Sequence, residues 1–287
     1  MDDIGAPFST AEHAQAALLS RYARTAALLA LTRLAPARRR ALRALAPLGS
    51  GELTIAGGAA GGLRLAAATF PLEHVHAHHL LRGTLERPVQ DALRRHVAPG
   101  AVVYDVGANL GFFSLLAARL TGPDGRVYAF EPVPANAAAV RANAAANGLG
   151  RVTVLELALG EVPGRAALTV PDDASWAFLE RYAPTRAGAG ATLEVRVATA
   201  DALVADGTLE PPGLVKLDVE GAELDVLTGM AETLRAHRPV LIAEMHGHNA
   251  EFVRRVEALG YRVTNLERPV PVAGDHDNTH ALAVPAD

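Results

Sequence analysis

The sequence predicts an α/β fold, in which helices cover both faces of a parallel sheet. Three observations support this prediction. From residue 88 onward, short apolar runs alternate with segments of helical spacing, as expected when strands and crossover helices follow one another. The apolar run 102–106 is followed by a glycine turn, Gly107 to Gly111, and the run 126–130 is followed by Glu131. A strand, a glycine turn and a second strand ending in a carboxylate are typical of nucleoside-binding sheets.

Bulk composition limits the class of protein. The 287 residues can form one large domain and a smaller one, and 50% hydrophobic with 20% charged residues indicates a globular chain. A net charge of -4 gives no reason to expect nucleic acid as a partner, and a chain without cysteine has no disulfides or thiolate chemistry. The N-terminus lacks the basic start of a signal peptide, and no long uncharged apolar segment is present. We therefore expect a cytoplasmic protein with no transmembrane segment.

An N-terminal appendage over residues 1–75 is predicted to precede the main domain, 76–287. Alanine and leucine recur at helical spacing over 10–45, with a break near Pro36, and predict two helices. The β-like runs 52–55 and 63–65, separated by glycine pairs, predict a hairpin. The apolar helices suggest a homodimer.

The main domain divides into elements in a regular order, apart from one interruption. Residues 160–212 carry two strand-like runs, 166–170 and 193–197, and we interpret this region as an insertion over the active site. The predicted strands are 102–106, 126–130, 152–156, 214–218, 239–244, 261–265 and 280–284. The predicted helices are 88–97, 111–121, 134–146, 222–235 and 249–258.

The first glycine turn is better suited to S-adenosylmethionine than to a dinucleotide. The glycine pattern that binds a pyrophosphate is incomplete, and Asp105 would stand at the mouth of the phosphate site. S-adenosylmethionine has no phosphate but carries an ammonium group and a sulfonium, so nearby carboxylates attract it. Asp105 can bind the ammonium, directly or through water. Glu131 can accept hydrogen bonds from both ribose hydroxyls.

Three ordered motifs resemble the FkbM family of S-adenosylmethionine-dependent methyltransferases. They are Asp105 to Ser114, Phe130 to Asn136, and Lys216 to Glu223; the resemblance covers about 80–286 and includes an upstream Gly83 to Glu86. It implies a Rossmann-like class I methyltransferase fold with a seven-stranded, mostly parallel sheet. Members of the family are mainly O-methyltransferases acting on hydroxyls of sugars or natural products.

Ligands of such sheets bind at the carboxyl ends of the parallel strands. Together with this rule, the resemblance implies which residues bind the cofactor. Each residue would contact one part of the cofactor. Glu86, from the upstream motif, is a further expected cofactor-binding residue. The methionine portion would contact Asp105, Gly107, Asn109, Gly111 and Ser114, the ribose Glu131, and the adenine the turn formed by Glu156, Leu157 and Ala158; Pro132, next to Glu131, is also expected to bind the cofactor.

The acceptor side is predicted at the ends of the next two strands. A hydroxyl is a poor nucleophile unless a base removes its proton or a metal lowers its pKa. We expect His246 or Asp218 to be the base, and Glu220 or Glu244 to bind the small-molecule hydroxyl acceptor or a divalent cation. If a metal such as Mg²⁺ is used, its candidate ligands are Asp218, Glu220 and Glu244. Helix capping is the structural alternative for Asp218 and Glu220, and Lys216 is expected to support a neighbouring carboxylate such as Glu244.

Two other functions share part of these features. A nicotinamide-dependent oxidoreductase would use the same strand and turn and the same ribose-binding acid. A non-catalytic protein that holds S-adenosylmethionine would need only the cofactor residues.

Overall fold

The computed structural model describes residues 51–67, 77–171, 178–179, 190–276 and 278–286. The chain divides into two compact units, the first ending at Leu85 and the second spanning Glu86–Asp287. Both helices predicted within 10–45 lie outside the described residues. The homodimer suggested by those helices, and the domain boundary at 75/76, therefore stay predictions. No described helix is long and apolar enough to cross a membrane.

Strands and helices alternate as the sequence predicts from residue 87 onward. In chain order the strands are β1 Glu52–Thr54, β2 Arg64–Ala66, β3 Val102–Val106, β4 Arg126–Phe130, β5 Val152–Leu155, β6 Ala158–Leu159, β7 Gly164–Pro171, β8 Phe178–Leu179, β9 Gly190–Ala198, β10 Leu214–Leu217, β11 Val240–Glu244, β12 Tyr261–Asn265 and β13 His280–Pro285. The described helices are α1 Ala77–Arg82, α2 Arg87–His96, α3 Phe112–Thr121, α4 Pro134–Ala146, α5 Ala200–Ala205, α6 Glu223–Gly229, α7 Ala231–His237 and α8 Asn249–Ala258, and Val272–Gly274 forms a 3-10 turn.

In the first unit, β1 and β2 pair antiparallel, with Leu53 opposite Leu65. This confirms the hairpin. Helix α1 was not predicted from the sequence.

The second unit contains a seven-stranded sheet with the order β12-β13-β11-β10-β3-β4-β5. Strands β5, β4, β3, β10 and β11 run parallel, and β13 runs antiparallel to both β11 and β12. From β3 the chain moves outward through β4 to β5, whereas β10 and β11 extend in the opposite direction. Because parallel crossovers are right-handed, the helices of the two halves lie on opposite faces. The switch between the halves lies between β3 and β10.

The centre of the sheet is buried on both faces. In β3, Tyr104 is fully buried and its ring meets Phe130 of β4 edge-on, with ring centroids 5.3 Å apart. Every residue of β10 is buried, including Lys216. A lysine in such a strand requires a partner for its charge, because an isolated buried ammonium is strongly disfavoured.

The interrupting region 160–212 forms a sheet of its own, with the order β6-β9-β7-β8. Both predicted strand-like runs are confirmed and are longer than predicted. Helix α5, at the end of this region, was missed by the sequence analysis. Leu168 and Val195 pack with Val133 and Ala222 of the main sheet's rim, so the small sheet lies against the carboxyl ends of the main strands.

The helix predicted over 222–235 is in fact two helices, α6 and α7. Gly229 ends the first, because a Cβ atom there would lie only 1.9 Å from the carbonyl oxygen of Gly160. Met230 then leaves the helical region, at φ -126° and ψ 16°. A contact with a distant segment thus breaks a helix that local spacing predicts as continuous.

Candidate active site

At the switch point of the sheet, two backbones touch. Gly107 follows β3 at φ +82°, and a Cβ atom there would lie 1.8 Å from the carbonyl oxygen of Asp218. Gly111 also has φ +82°, and a Cβ there would lie 2.9 Å from a methyl group of Val140. These glycines are therefore required by the neighbouring strand and by helix packing, which adds to the ligand-based reason inferred from the sequence.

Asp105 lies beneath this turn and is 1% exposed. One carboxylate oxygen accepts the Ser114 hydroxyl at 2.5 Å, and the other lies 3.7 Å from Lys216 Nζ. Neither Asp105 nor Ser114 is among the residues that line the adjacent cleft. The structure therefore places both predicted cofactor residues behind the surface, where they hold Lys216 and α3.

An open cleft of about 690 Å³ lies above the switch point. It brings together predicted residues from both sides of the site: Gly107, Asn109, Glu131, Pro132, Leu157, Ala158, Asp218 and Glu220. Leu168 of the small sheet also lines it, with Asn136 of α4. Gly111 and Glu86 are not among the lining residues.

Glu131 is held in the cleft by backbone N–H groups. Its Oε2 accepts the N–H of Asn109 at 2.7 Å, and its Oε1 accepts the N–H of Val133 at 2.9 Å, with Asn136 Nδ2 further away at 3.5 Å. Burial raises the pKa of Glu131 to about 7, although these hydrogen bonds oppose the rise and Asp105 adds to it. The carboxylate is thus fixed in orientation and titrates near neutrality.

S-adenosylmethionine fits the donors and acceptors of this cleft. Asn109 has a left-handed backbone, φ 51°, and its buried Oδ1 makes no hydrogen bond, so it can accept one from the ammonium. A carboxylate offers about four acceptor directions, so Glu131 retains capacity for the ribose hydroxyls. Leu157 and Ala158, the residues expected to contact the adenine, line the cleft and add an apolar surface to it. Glu156, beside them, forms an exposed ion pair with Arg141 instead.

On the other side of the switch, Lys216 joins three segments. Its Nζ donates to Asp218 Oδ2 at 3.0 Å and to the Gly107 carbonyl at 3.3 Å. Burial lowers the pKa of Lys216, but the carboxylates of Asp218, Asp105 and Glu86 outweigh it and raise the pKa above its ordinary value. For Asp218, burial raises the pKa and the Lys216 ammonium opposes the rise. The structure confirms that Lys216 supports a carboxylate, but its partner is Asp218.

His246 follows β11 and lies among three carboxylates. Its Nδ1 is 2.8 Å from Glu223 Oε1, and its Nε2 is 3.5 Å from Glu220 and 3.8 Å from Glu244. Nε2 is buried and makes no hydrogen bond, and His246 is not among the residues that line the cleft. Burial lowers the pKa of His246, but Glu223, Asp218 and Glu220 raise it further, to about 9. One ring nitrogen is therefore fixed, and the other faces the acidic side of the site.

Glu244 ends β11 and contacts a second histidine. One oxygen accepts the Asn278 amide at 3.1 Å, and the other lies 3.5 Å from His280 Nε2. Burial raises the pKa of Glu244, but His280, His246 and Asn278 outweigh it and lower the pKa to about 2. Glu86 also contacts His280, at 3.2 Å. The structure thus groups Glu86 with Glu244, and neither is among the cleft-lining residues.

The sequence analysis did not assign roles to Glu223 or His280. Glu223 is the first residue of α6, and its Oε1 also accepts the N–H of Gly221 at 3.0 Å. Glu223 lies five residues after Asp218 and ends the third motif, so the sequence did contain a signal that it belongs to the site. His280 begins the antiparallel strand β13 opposite Glu244. An antiparallel strand brings its first residue to the rim where parallel strands end, and that geometry gives no motif in sequence.

The sheet is parallel apart from one antiparallel strand, and the cleft lies at its switch point. Glu131 is placed as a ribose-binding carboxylate would be, while the glycine turn that binds a pyrophosphate is incomplete. These features define a class I S-adenosylmethionine-dependent methyltransferase. Residues 105–263, more than half of the chain, match the methyltransferase FkbM domain. The chain therefore belongs to the FkbM methyltransferase family. The oxidoreductase and the non-catalytic alternatives find no support in these matches.

Three relatives illustrate the range of similarity. The chain is 31% identical over 202 residues to the 31-O-demethyl-FK506 methyltransferase FkbM of Streptomyces tacrolimicus, covering 60% of this chain and 76% of that protein. It is 37% identical over 137 residues to the ribosomal protein L11 methyltransferase of Pelotomaculum thermopropionicum, covering 47% of this chain and 41% of that protein. It is 27% identical over 208 residues to the hexuronic acid methyltransferase AglP of Haloferax volcanii, covering 70% and 82%.

Proposed function

We propose that this methyltransferase acts on oxygen, methylating a hydroxyl of a sugar or natural product, with His246 as the general base. The observation that carries the proposal is the geometry of the imidazole. Glu223 holds Nδ1, while Nε2 has no hydrogen bond and lies 3.5 Å from the cleft-lining Glu220. A positioned imidazole of this kind is the commonest general base in proteins.

Bound S-adenosylmethionine supplies a methyl group on a sulfonium, which is electrophilic enough for an in-line displacement by oxygen. The chain must remove the hydroxyl proton. His246 Nε2 accepts that proton in its neutral form, which the pKa of about 9 makes the minor form at neutral pH, and Glu223 keeps the ring in the required tautomer. The carboxylates of Glu220, Glu223 and Glu244 then stabilise the imidazolium that forms.

Asp218 is the weaker candidate for the base. Its Oδ2 accepts a hydrogen bond from Lys216, whose side chain is 6% exposed. Protonating Asp218 would remove the closest counter-charge of a buried ammonium, which is costly. Asp218 is better suited to fix Lys216 and to present its backbone and carboxylate to the cleft. The same ammonium opposes the Mg²⁺ site predicted for Asp218, Glu220 and Glu244, which stays an alternative.

The relatives favour a small hydroxyl-bearing acceptor over a protein. The FK506 and hexuronic acid methyltransferases are matched over 76% and 82% of their lengths. The ribosomal protein methyltransferase is matched over only 41%, so most of that enzyme has no counterpart in the match. We expect the small sheet around Leu168 to contribute to acceptor selection.

A label-transfer experiment tests the proposal. The protein is incubated with methyl-labelled S-adenosylmethionine and matched acceptors, namely a hexuronate glycoside, a macrolide alcohol, and an amino analogue of each. We expect labelled methyl ethers from the alcohols and none from the amines. Glu131→Ala, which removes the ribose acceptor, should transfer no label at a cofactor concentration that saturates the wild type.

Two results would count against O-methylation. One is a labelled N-methyl product as the main product. The other is tight cofactor binding by calorimetry with no transfer to any alcohol, which would return the non-catalytic binding protein to consideration.

A further inference from the structure

A second histidine cluster lies beside the proposed base. It consists of His280, Glu86, Glu244 and Glu267, and we call it the His280 cluster. The His280 side chain is 10% exposed. Glu267 fixes the residue at two points, with Oε1 2.5 Å from Nδ1 and Oε2 accepting the backbone N–H at 3.0 Å. This leaves Nε2 directed at the carboxylates of Glu86 and Glu244.

The facing atoms are close but are not hydrogen-bonded. His280 Nε2 lies 3.2 Å from Glu86 Oε2 and 3.5 Å from Glu244 Oε2. Both Nε2 and Glu86 Oε2 are buried and lack a hydrogen-bond partner. Leaving a buried polar atom unsatisfied costs about 1–3 kcal/mol. A proton on Nε2 would make His280 an ion-pair partner of both carboxylates, and a metal ion bound in place of that proton would satisfy the same atoms.

The spacing is that of ligands around one metal ion. Atoms bound about 2.1 Å from an ion, at angles between octahedral and tetrahedral, are about 3.0–3.4 Å from one another. Of the two separations from His280 Nε2, the 3.2 Å to Glu86 lies in this range and the 3.5 Å to Glu244 lies slightly above it, and all three ligand atoms lie within 4.8 Å of each other. A carboxylate on the other nitrogen of the histidine is the usual outer partner of a metal-bound imidazole. Glu267 occupies that position.

We propose that Glu86, Glu244 and His280 bind a divalent transition-metal ion, Mn²⁺ or Zn²⁺, with Glu267 orienting the imidazole. One imidazole and two carboxylates suit these ions, whereas Mg²⁺ prefers oxygen ligands and water. Three carboxylates around one imidazole also leave excess negative charge for a cation. The ion would join the start of α2, the end of β11 and the start of β13.

The neighbouring group of Asp218, Glu244 and His246 is the competing location. There, the Lys216 ammonium lies 3.0 Å from Asp218 Oδ2, so a metal ion would meet a like charge. The described contacts of the His280 cluster include no lysine or arginine at such a distance. Glu244 belongs to both groups, with one oxygen towards each histidine.

Metal titration of the full chain, without S-adenosylmethionine or acceptor, tests this proposal. Chelator-treated protein is titrated by calorimetry with MnCl₂, ZnCl₂ and MgCl₂ in separate experiments. We expect one Mn²⁺ or Zn²⁺ per chain and weaker binding of Mg²⁺. Glu86→Gln and His280→Gln should each lower the affinity about tenfold or more, and Glu267→Gln about 10–100-fold.

Matched controls separate this site from the others. Glu232→Gln alters an exposed glutamate in α7 and should bind the metal as the wild type does, and so should His246→Gln. If His280→Gln does not fold, Glu86→Gln decides, because that side chain is 26% exposed and tolerates the amide.

The proposal is overturned if the wild type binds neither Mn²⁺ nor Zn²⁺, or if Glu86→Gln and His280→Gln leave their binding unchanged. Loss of binding in His246→Gln with retention in Glu86→Gln also overturns it, in favour of the competing group. Because the titration needs neither cofactor nor acceptor, its outcome is independent of the proposed O-methylation.

Discussion

The two halves of the sheet rim hold their functional groups in different ways. The half that we expect to bind the cofactor, the cofactor side, consists of Gly107, Asn109 and Glu131, where backbone N–H groups orient the carboxylate. The half that we expect to bind the acceptor, the acceptor side, has side chains that orient one another through ion pairs: Lys216, Asp218, Glu220, Glu223, Glu244 and His246. Hydrogen bonds from the main chain hold the carboxylate on the cofactor side, whereas ion pairs between side chains hold the acceptor side.

Because the two sides are held by different interactions, cofactor binding and methyl transfer should respond differently to substitution. Backbone hydrogen bonds persist when a neighbouring side chain is changed, so the cofactor side should respond to substitution locally. Ion-paired side chains share their charges, so the acceptor side should respond as a network. Substitutions on one side are therefore expected to leave the measurable function of the other side largely intact.

The largest expected effect is that of His246→Gln. Turnover should fall about a hundredfold or more, because a general base contributes at least that much, while cofactor affinity should stay within about twofold of the wild type. Initial rates and calorimetry measure the two quantities. The matched control is His237→Gln, an exposed histidine at the end of α7, which should change neither. Turnover of His246→Gln within a few-fold of the wild type would show that another group is the base.

An intermediate effect is expected from pH on the cofactor side. Only ionised Glu131 accepts two hydrogen bonds from the ribose, and its pKa is raised to about 7. Affinity for S-adenosylmethionine should thus fall as pH drops through neutrality, by about tenfold between pH 8 and pH 6. Calorimetry at several pH values measures it. The Glu131→Gln variant shows how much of the pH dependence comes from the cofactor's own titratable groups. If affinity changes with pH equally in the variant and the wild type, Glu131 is not the group that titrates.

The smallest effect is expected for Asn136→Ala. Asn136 lines the cleft, but its Nδ2 is 3.5 Å from Glu131 Oε1, at the outer limit of a hydrogen bond. Cofactor affinity should fall by less than about threefold, because two backbone N–H groups still hold the carboxylate. A tenfold loss in the same calorimetric titration would show that Asn136 contacts the cofactor itself.

The cofactor side was largely predictable because its residues are close in sequence. The strand at 102–106, the turn from Gly107 to Gly111, and Glu131 after the next strand form a local pattern, and the structure brings most of them to one cleft. Two details were not predictable. Asp105 and Ser114 pair with each other behind the cleft, and Glu86 lies against His280.

The acceptor side was predictable only in its residue types. Asp218, Glu220, Glu244 and His246 follow strands and were therefore placed at the rim. Their pairing depends on which strands are neighbours, and this selects Asp218 for Lys216 and Glu223 for His246. The break between α6 and α7 has the same origin, because Gly160 and Gly229 meet only in the folded chain.

The sequence by itself determined the α/β alternation, the hairpin, the motifs of the methyltransferase family and the carboxylate of Glu131 at the cleft. These features depend on periodicity and short-range spacing, which a chain carries before it folds. The tertiary structure decided the partner of each charge, the glycine contacts and the position of His280. Those depend on strand order and direction, since an antiparallel last strand brings residue 280 beside residue 244, and no local pattern encodes that distance.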